Sequence, residues 1–251
     1  IKTKDNVIRR DFRIKEGEVF DCTMLKRSKK RINNLNYFED VKIDTQRGES
    51  PELIDILATV TEKPTGTFTV GAGYSNVENL IFTTSIAQNN LLGNGHRVNL
   101  TASLSSIRTN FNLSLTEPRL FDSEISASIS AFNQDQNFLS FDSLTSGAGF
   151  RFGKNISEYE NLSVGYRFET VEVTGVSQAN NTAFLFNGNR TTSRVAPTYI
   201  YDSRDNFLNP SQGWRHMLGF DFAGLGGLIF TRSRYDITYY NTLVEKLVGA
   251  G

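Results

Sequence analysis

The sequence predicts a small α+β module followed by an all-β, antiparallel transmembrane β-barrel segment of about ten strands. Three observations point there. From residue 66 to about residue 245, apolar and polar residues alternate in ten segments with no helical periodicity, and period-2 alternation marks strands with two different surroundings. Composition agrees: 19 Phe, 9 Tyr and 20 Gly stand against 1 Trp and 5 Pro, with many Ser, Thr and Asn, a mixture that suits strands better than helices. No run of about 18 apolar residues exists to cross a membrane as a helix, whereas barrel strands are short and only half apolar.

Global charge and cysteine usage narrow the function classes. Lysine plus arginine equals aspartate plus glutamate, 27 each. The resulting zero net charge gives no electrostatic case for nucleic acid, which needs a basic excess or patch. Cys22 is the single cysteine, so no internal disulfide forms, and a small buried residue is the expected role. The opening IKTKDNVIRR has neither Met nor an apolar signal-peptide core, so the chain reads as a processed or truncated piece.

Residues 1–63 make the module. Thr3 is expected to cap a helix over residues 4–10, and Asp21 a longer one over residues 22–35, where Leu25, Ile32 and Leu35 fall at roughly helical spacing. The cations Lys26, Arg27, Lys29, Lys30 and Arg31 read as a solvated helix face. A strand over 38–46 puts Val41 and Ile43 on one face, and a strand over 54–60 does the same for Ile54, Ile56, Ala58 and Val60. RGESP at 47–51 is the hairpin turn between them. Two strands form a thin sheet, so a further strand before residue 1 is expected. Residues 63–66 are a short linker, and the second domain is 64–251.

The ten alternating segments are 66–75, 80–90, 96–106, 109–117, 124–135, 145–154, 161–174, 192–204, 213–223 and 232–245. In the first, Phe68, Val70, Ala72 and Tyr74 face one way and Thr67, Thr69, Gly71 and Gly73 the other. In the fifth, Ile125, Ala127, Ile129 and Ala131 alternate with Ser126, Ser128 and Ser130. Segments of about 9–11 residues match a tilted strand crossing a bilayer. Between residues 80 and 153 the only basic residues other than histidine are Arg97, Arg108, Arg119 and Arg151, a scarcity that favours lipid on one side. With the module on the inner side, the inner turns fall at 91–95, 118–123, 155–160 and 205–212, and the two longest outer loops at 136–144 and 175–191. Short inner turns with longer outer loops are the pattern of outer-membrane barrels, although the outer loops at 75–79, 106–108 and 224–231 are also short.

No catalytic set emerges, and no metal or cofactor is expected. His96 and His216 lie in separate strands, and there is no nucleophile elbow, Walker loop or Cys/His cluster. Gly93-Asn94-Gly95 reads as a type I′ hairpin turn rather than a phosphate cradle. Two polar clusters close strands: Thr116-Glu117-Pro118-Arg119, and Tyr201-Asp202-Ser203-Arg204-Asp205-Asn206. A carboxylate pair for catalysis is conceivable in the second, but the reading adopted is structural, with acids and arginines pairing at a barrel mouth and Asp-Asn capping the turn.

These motifs carry a family resemblance. The run from Ile32 to Val41, INNLNYFEDV, resembles the end of a polypeptide-transport-associated (POTRA) domain, and GAGYS, QNNLLGNG, TEPRL and YDSRDNFLNPSQG resemble in order the barrel of the BamA-type outer-membrane assembly insertases. The resemblance runs nearly end to end. It implies a periplasmic POTRA module feeding a 16-stranded barrel, of which the last six strands and a VRGF-type loop are absent here. It also implies unfolded outer-membrane proteins as clients, accessory lipoproteins bound through the POTRA module, and insertion into the bilayer at a lateral seam between first and last strands. The residues this assigns to client pairing are Thr67, Phe68, Thr69, Val70, Gly71, Gly73 and Tyr74. Gly93, Gly95, Glu117, Pro118, Arg119, Tyr201, Asp202, Arg204 and Asp205 are assigned to structural motifs. Two-partner secretion transporters share the architecture and would show a plug helix and one dedicated substrate. An outer-membrane barrel enzyme would need a catalytic set at the rim, and a passive porin would leave the POTRA-like module unexplained.

Overall fold

The computed structural model describes residues 2–50, 52–176, 187–206, 209–244 and 247–250. The chain divides into two compact units: Ile1–Phe68 with Ile86–Val98, and Thr69–Ser85 with Asn99–Gly251.

The first unit opens with helix α1 (Asp5–Arg9) and helix α2 (Cys22–Asn34). Strands β1 (Phe38–Arg47) and β2 (Ile54–Glu62) then pair antiparallel as a two-stranded sheet. Asp21 caps α2 as its side chain accepts a hydrogen bond from the Thr23 N–H at 2.6 Å. Thr3 does not cap α1: the N-cap is Lys4, which makes no side-chain cap bond. The core is Val7, Ile32, Tyr37, Phe38 and Val41, with Ile8, Phe12, Leu35, Ile43 and Val60 packed against it. Simple alternation would put Phe38 and Val41 on opposite faces. A β-bulge between Phe38 and Asp40 adds one residue and returns both to the core side. On α2 the fully buried positions are Ser28 and Ile32, while Leu25 is half-buried. Ser28 is tolerated because its hydroxyl donates to the Met24 carbonyl and accepts from the Arg13 N–H, both at 2.8 Å. Cys22, expected inside, is exposed: it is the first residue of α2, on the turn that faces away from the core.

Downstream, every strand pairs with its chain neighbour in one antiparallel sheet of eleven strands, ordered β13-β12-β11-β10-β9-β8-β7-β6-β5-β4-β3. They are β3 (Gly66–Ser75), β4 (Asn79–Leu91), β5 (His96–Leu104), β6 (Arg108–Glu117), β7 (Ile125–Asn137), β8 (Asp142–Asn155), β9 (Glu160–Thr174), β10 (Gly188–Asp202), β11 (Gly213–Gly227), β12 (Phe230–Val244) and the short β13 (Leu247–Ala250). All ten expected strands are present, and β13 is an addition. Several strands reach 13–15 residues, longer than expected, and the loops shrink to match. The connection expected at 136–144 is only 138–141, because Asn137 and Asp142 still pair in register. The connection expected at 224–231 is only 228–229. The long loop expected at 175–191 falls largely outside the described residues.

Register sorts the side chains. Ser114, Ser130, Gly149, Arg167 and Arg194 are successive partners across β6 to β10 and so share a face. The neighbouring row is Leu115, Ile129, Phe150, Tyr166, Val195 and Phe222. The second face stays exposed although it is apolar: Ile129 is 62% and Phe222 50% accessible. A contiguous apolar face of this extent is what a bilayer covers. Aromatic rings gather on it near the turns at 156–159 and 203–212. Tyr159, Tyr201, His216, Trp214 and Tyr239 follow one another at centroid distances of 6.3, 5.9, 5.6 and 4.3 Å, like the girdle of a membrane barrel. On the polar face Phe132 lies flat across Gly147, where an added Cβ would come within 2.5 Å of both the phenyl ring and the Phe168 carbonyl oxygen. Its ring thereby meets the Arg167 guanidinium, 3.8 Å from the centroid.

Two outcomes follow from this packing. Gly147→Val should destabilise the sheet by about 1–3 kcal/mol through overpacking, read as a lower urea midpoint in detergent, with Phe132→Ala in the same chain restoring part of the loss. In the first unit, Glu62 accepts hydrogen bonds from the backbone N–H of Lys2 and Thr3. The Thr3 side chain above all, opposed by burial and helped by these backbone donors, holds the carboxyl at about 2, well below its ordinary value. A carboxylate depressed in the fold stabilises it above the unfolded value and loses that contribution as pH falls through the folded one. Hydrogen-exchange protection of the Thr3 and Lys4 amides should therefore persist at pH 5 and fade between about pH 4.5 and about pH 2. Glu62→Gln should abolish that pH dependence.

Candidate functional site

Strand β3 stands at one end of the sheet, with β4 as its only neighbour among the described residues. Nine-tenths of an ordinary strand's shielding is missing on its side chains: Phe68, Val70 and Tyr74 are 67%, 63% and 73% exposed. Thr67, Thr69 and Gly73 are exposed as well, and Gly71 is half-buried. An added Cβ at Gly73 would touch nothing, and one at Gly71 would come within 2.9 Å of Thr83 Oγ1. At the base of the strand, Thr65 donates its hydroxyl to Gln88 Oε1 at 2.7 Å, and its carbonyl accepts the Asn89 N–H at 3.2 Å. At the top, the Ser75 hydroxyl accepts the Val77 N–H at 3.2 Å. Glu78 then binds Arg108 at 2.9 Å, while its carbonyl accepts the Ser106 hydroxyl at 2.9 Å. The strand is thus held at both ends and unsupported along its outer edge.

The QNNLLGNG turn does more than reverse the chain. The left-handed pair is Leu92 (φ 52°) and Gly93 (φ 76°), with the Asn94 N–H bonded to the Leu91 carbonyl at 3.1 Å, so the tight turn sits one residue earlier than Gly93-Asn94-Gly95 suggested. The turn is also docked on the N-terminal segment within the first unit. The Lys4 N–H donates to the Gly93 carbonyl at 2.9 Å. Asn90 donates its amide N–H to Thr3 Oγ1 and accepts the Gly95 N–H, both at 2.8 Å. The Tyr37 hydroxyl donates to the Gly95 carbonyl at 3.3 Å. A Cβ on Gly93 would lie 1.7 Å from the Lys2 carbonyl oxygen, so only glycine permits this approach. Sequence reading found the glycines but not their partner. The available signal was the buried-type pairing of an Asn with two glycines in a turn that needed only one.

The other two motifs build turns at the same rim as the aromatic cluster. Glu117 accepts the Arg119 N–H at 3.0 Å, and the turn over Pro118 closes with the Ser123 hydroxyl donating to the Leu120 carbonyl at 2.6 Å. In the second motif Arg204 forks onto Asp202, with Nε–Oδ1 at 2.8 Å and Nη2–Oδ2 at 2.7 Å, both side chains about 15% exposed. Asp205 accepts the backbone N–H groups of Ser211 and Gln212 at 2.8 and 3.1 Å and the Ser211 hydroxyl. That hydroxyl first, and then the two N–H groups, hold its carboxyl at about 2. Tyr201 belongs to the aromatic cluster. Both acids of the second motif are committed to turn bonds, and no group of three or more metal-ligating side chains occurs among the described residues.

Asp202→Ala leaves the mostly buried Arg204 without its fork. It should destabilise the sheet by about 1.5–3 kcal/mol, read as increased proteolysis at the 203–212 turn, and Asp202→Glu should recover part of it.

Comparison with known proteins places these features. The Omp85 superfamily domain model matches residues 90–250, and the POTRA model, described as surface antigen variable number repeat, matches residues 1–63. The outer membrane protein assembly factor BamA of Nitratidesulfovibrio vulgaris is 29% identical over 229 residues, 90% of this chain and 29% of that protein. Among solved structures, BamA from Haemophilus ducreyi lacking POTRA domains 1–3 superposes with a TM-score of 0.78 at 20% identity, covering 97% of this chain and 50% of that one. CdiB from Escherichia coli gives 0.64 at 14% identity, covering 99% and 50%. The chain spans less than a third of the first curated relatives it matches. An unclosed antiparallel sheet with an apolar outer face, preceded by a helix-helix-strand-strand module and matched by both family models, identifies the chain as a BamA-type member of the Omp85 superfamily.

Proposed function

We propose that this chain is the membrane-proximal part of a factor that inserts other barrel proteins into the bacterial outer membrane. Residues 1–63 act as a periplasmic POTRA domain and residues 64–251 as the first part of the barrel. The observation that carries this reading is β3, the end strand of the sheet, exposed on its side chains and bearing Gly66, Gly71 and Gly73. Strand glycines weaken pairing because they cost entropy and pack no side chain. An unpaired edge in lipid costs several kcal/mol for each unsatisfied backbone group, so such an edge must take a partner. A weak partner can be exchanged for an incoming strand by main-chain hydrogen bonding. Client recognition then rests on backbone groups of Thr67 to Tyr74 and is tolerant of client sequence. Accessory lipoproteins dock on the POTRA domain, the part of the chain that carries exposed polar surface outside the sheet. No bond-making chemistry and no cofactor enter.

The fold likeness to CdiB supports a second reading, a two-partner secretion transporter. One experiment separates them. With cysteine at Thr67 or Thr69 of the parent protein, a stalled barrel client should form a disulfide cross-link to β3, and depletion of the parent should lower many outer-membrane proteins at once. Absence of any adduct in an active parent would sink strand addition at this edge. Loss of a single secreted substrate, with the barrel proteins intact, would favour the transporter.

A further inference from the structure

The polar face of strands β8 to β12 carries an arginine-lined concavity of about 410 Å³, which nothing above uses. Its cations are Arg151, Arg167, Arg194, Arg232 and Arg234. Only two carboxylates serve them. Glu169 binds Arg167 at 2.8 Å and stands 3.7 Å from Arg194, and Asp221 binds Arg232. Arg151 and Arg234 form no ion pair with a described residue. Arg167 and Arg194 are direct cross-strand partners, an arrangement of like charges that disfavours pairing. The floor beneath the arginines is cleared: Gly149 is opposite Arg167, Gly165 opposite Arg151, and Gly219 opposite Arg234. Three arginines each facing a glycine leave their guanidinium groups room to turn toward a ligand rather than packing against a neighbour.

We propose that this wall binds an acidic peptide segment in extended conformation. Guanidinium forks match carboxylates bidentately, which lysines would not do. The length favours a chain over a lone anion. From β8 to β12 are four inter-strand steps, about 19 Å at the usual spacing, which an extended peptide covers in about six residues. The excess of arginine over carboxylate supplies the complementary charge. The inference concerns the polar face alone and does not depend on strand exchange at β3.

The test uses the full-length parent protein in detergent micelles and two fluorescent peptides of equal length, one alternating Glu and Ser, the other Gln and Ser. Anisotropy should show binding of the Glu-Ser peptide only, weakening steeply as salt rises from about 0.05 to about 0.3 M. Arg151→Gln with Arg234→Gln should weaken it about tenfold or more, while the corresponding Lys variants retain part of the affinity. The variant's fold is checked by its heat-dependent mobility in electrophoresis. If it fails to fold, the two peptides compared on the unaltered protein still decide. Equal binding of both peptides, unchanged affinity in the folded Gln variant, or full displacement by equimolar inorganic phosphate would each overturn the proposal.

Discussion

In hydrocarbon a backbone N–H or C=O without a partner costs several kcal/mol, and most of what this chain does with its residues downstream of the POTRA module answers that one constraint. Each strand from β4 to β12 finds partners on both sides by the shortest route, its own chain neighbours. Meander pairing fixes register strand by strand, and register decides which side chains meet lipid. A slip by one residue would turn Ile129, Phe150 and Phe222 to the polar side and Ser130, Gly149 and Arg167 to the lipid. The alternation is therefore enforced from both faces. The same constraint makes β3 the most consequential strand, because it is where main-chain pairing within the described residues stops.

The polar face tolerates what the apolar face cannot. Charged side chains there meet water or one another, so arginines can be placed opposite glycines and beside aromatics without being driven out. The Phe132–Gly147–Arg167 stack shows the economy of this arrangement: removal of one side chain lets a ring bridge two strands and hold a cation in place. In the first unit the logic is that of a small water-soluble domain. A five-residue buried core is supplemented by the QNNLLGNG turn, whose backbone groups are bonded by Lys4 and Tyr37 and whose Asn90 side chain meets Thr3. Each bond of this kind is worth only about 1 kcal/mol net, but several act together on a short N-terminal segment that has little core of its own.

Sequence reading succeeded where a single period governs a long stretch. The ten strands and the two module helices were visible because alternation and capping are local properties. It misplaced strand ends because inter-strand bonds carry polar residues such as Asn137 and Asp142 into the ladder, and nothing in their chemistry distinguishes them from a loop. It misassigned Thr3 because its partners, Glu62 and Asn90, are 59 and 87 residues away. Cys22 was misjudged because burial of a helix N-terminal residue depends on which turn faces the core. For the candidate site, the glycines and the Asp-Arg motif were legible as unusual residues. What they contact was not.

By itself, the sequence determined the two-part organisation, the antiparallel character of the second part and the division of its residues between two solvents, since each follows from periodicity and composition along the chain. The tertiary structure alone decided that Gly93 is required because the Lys2 carbonyl occupies the space of its side chain. It alone decided that Phe38 reaches the core through a bulge, and that five arginines scattered over 84 positions converge on one wall. Convergence of that kind depends on pairing register, and register is a property of neighbouring strands rather than of any one of them.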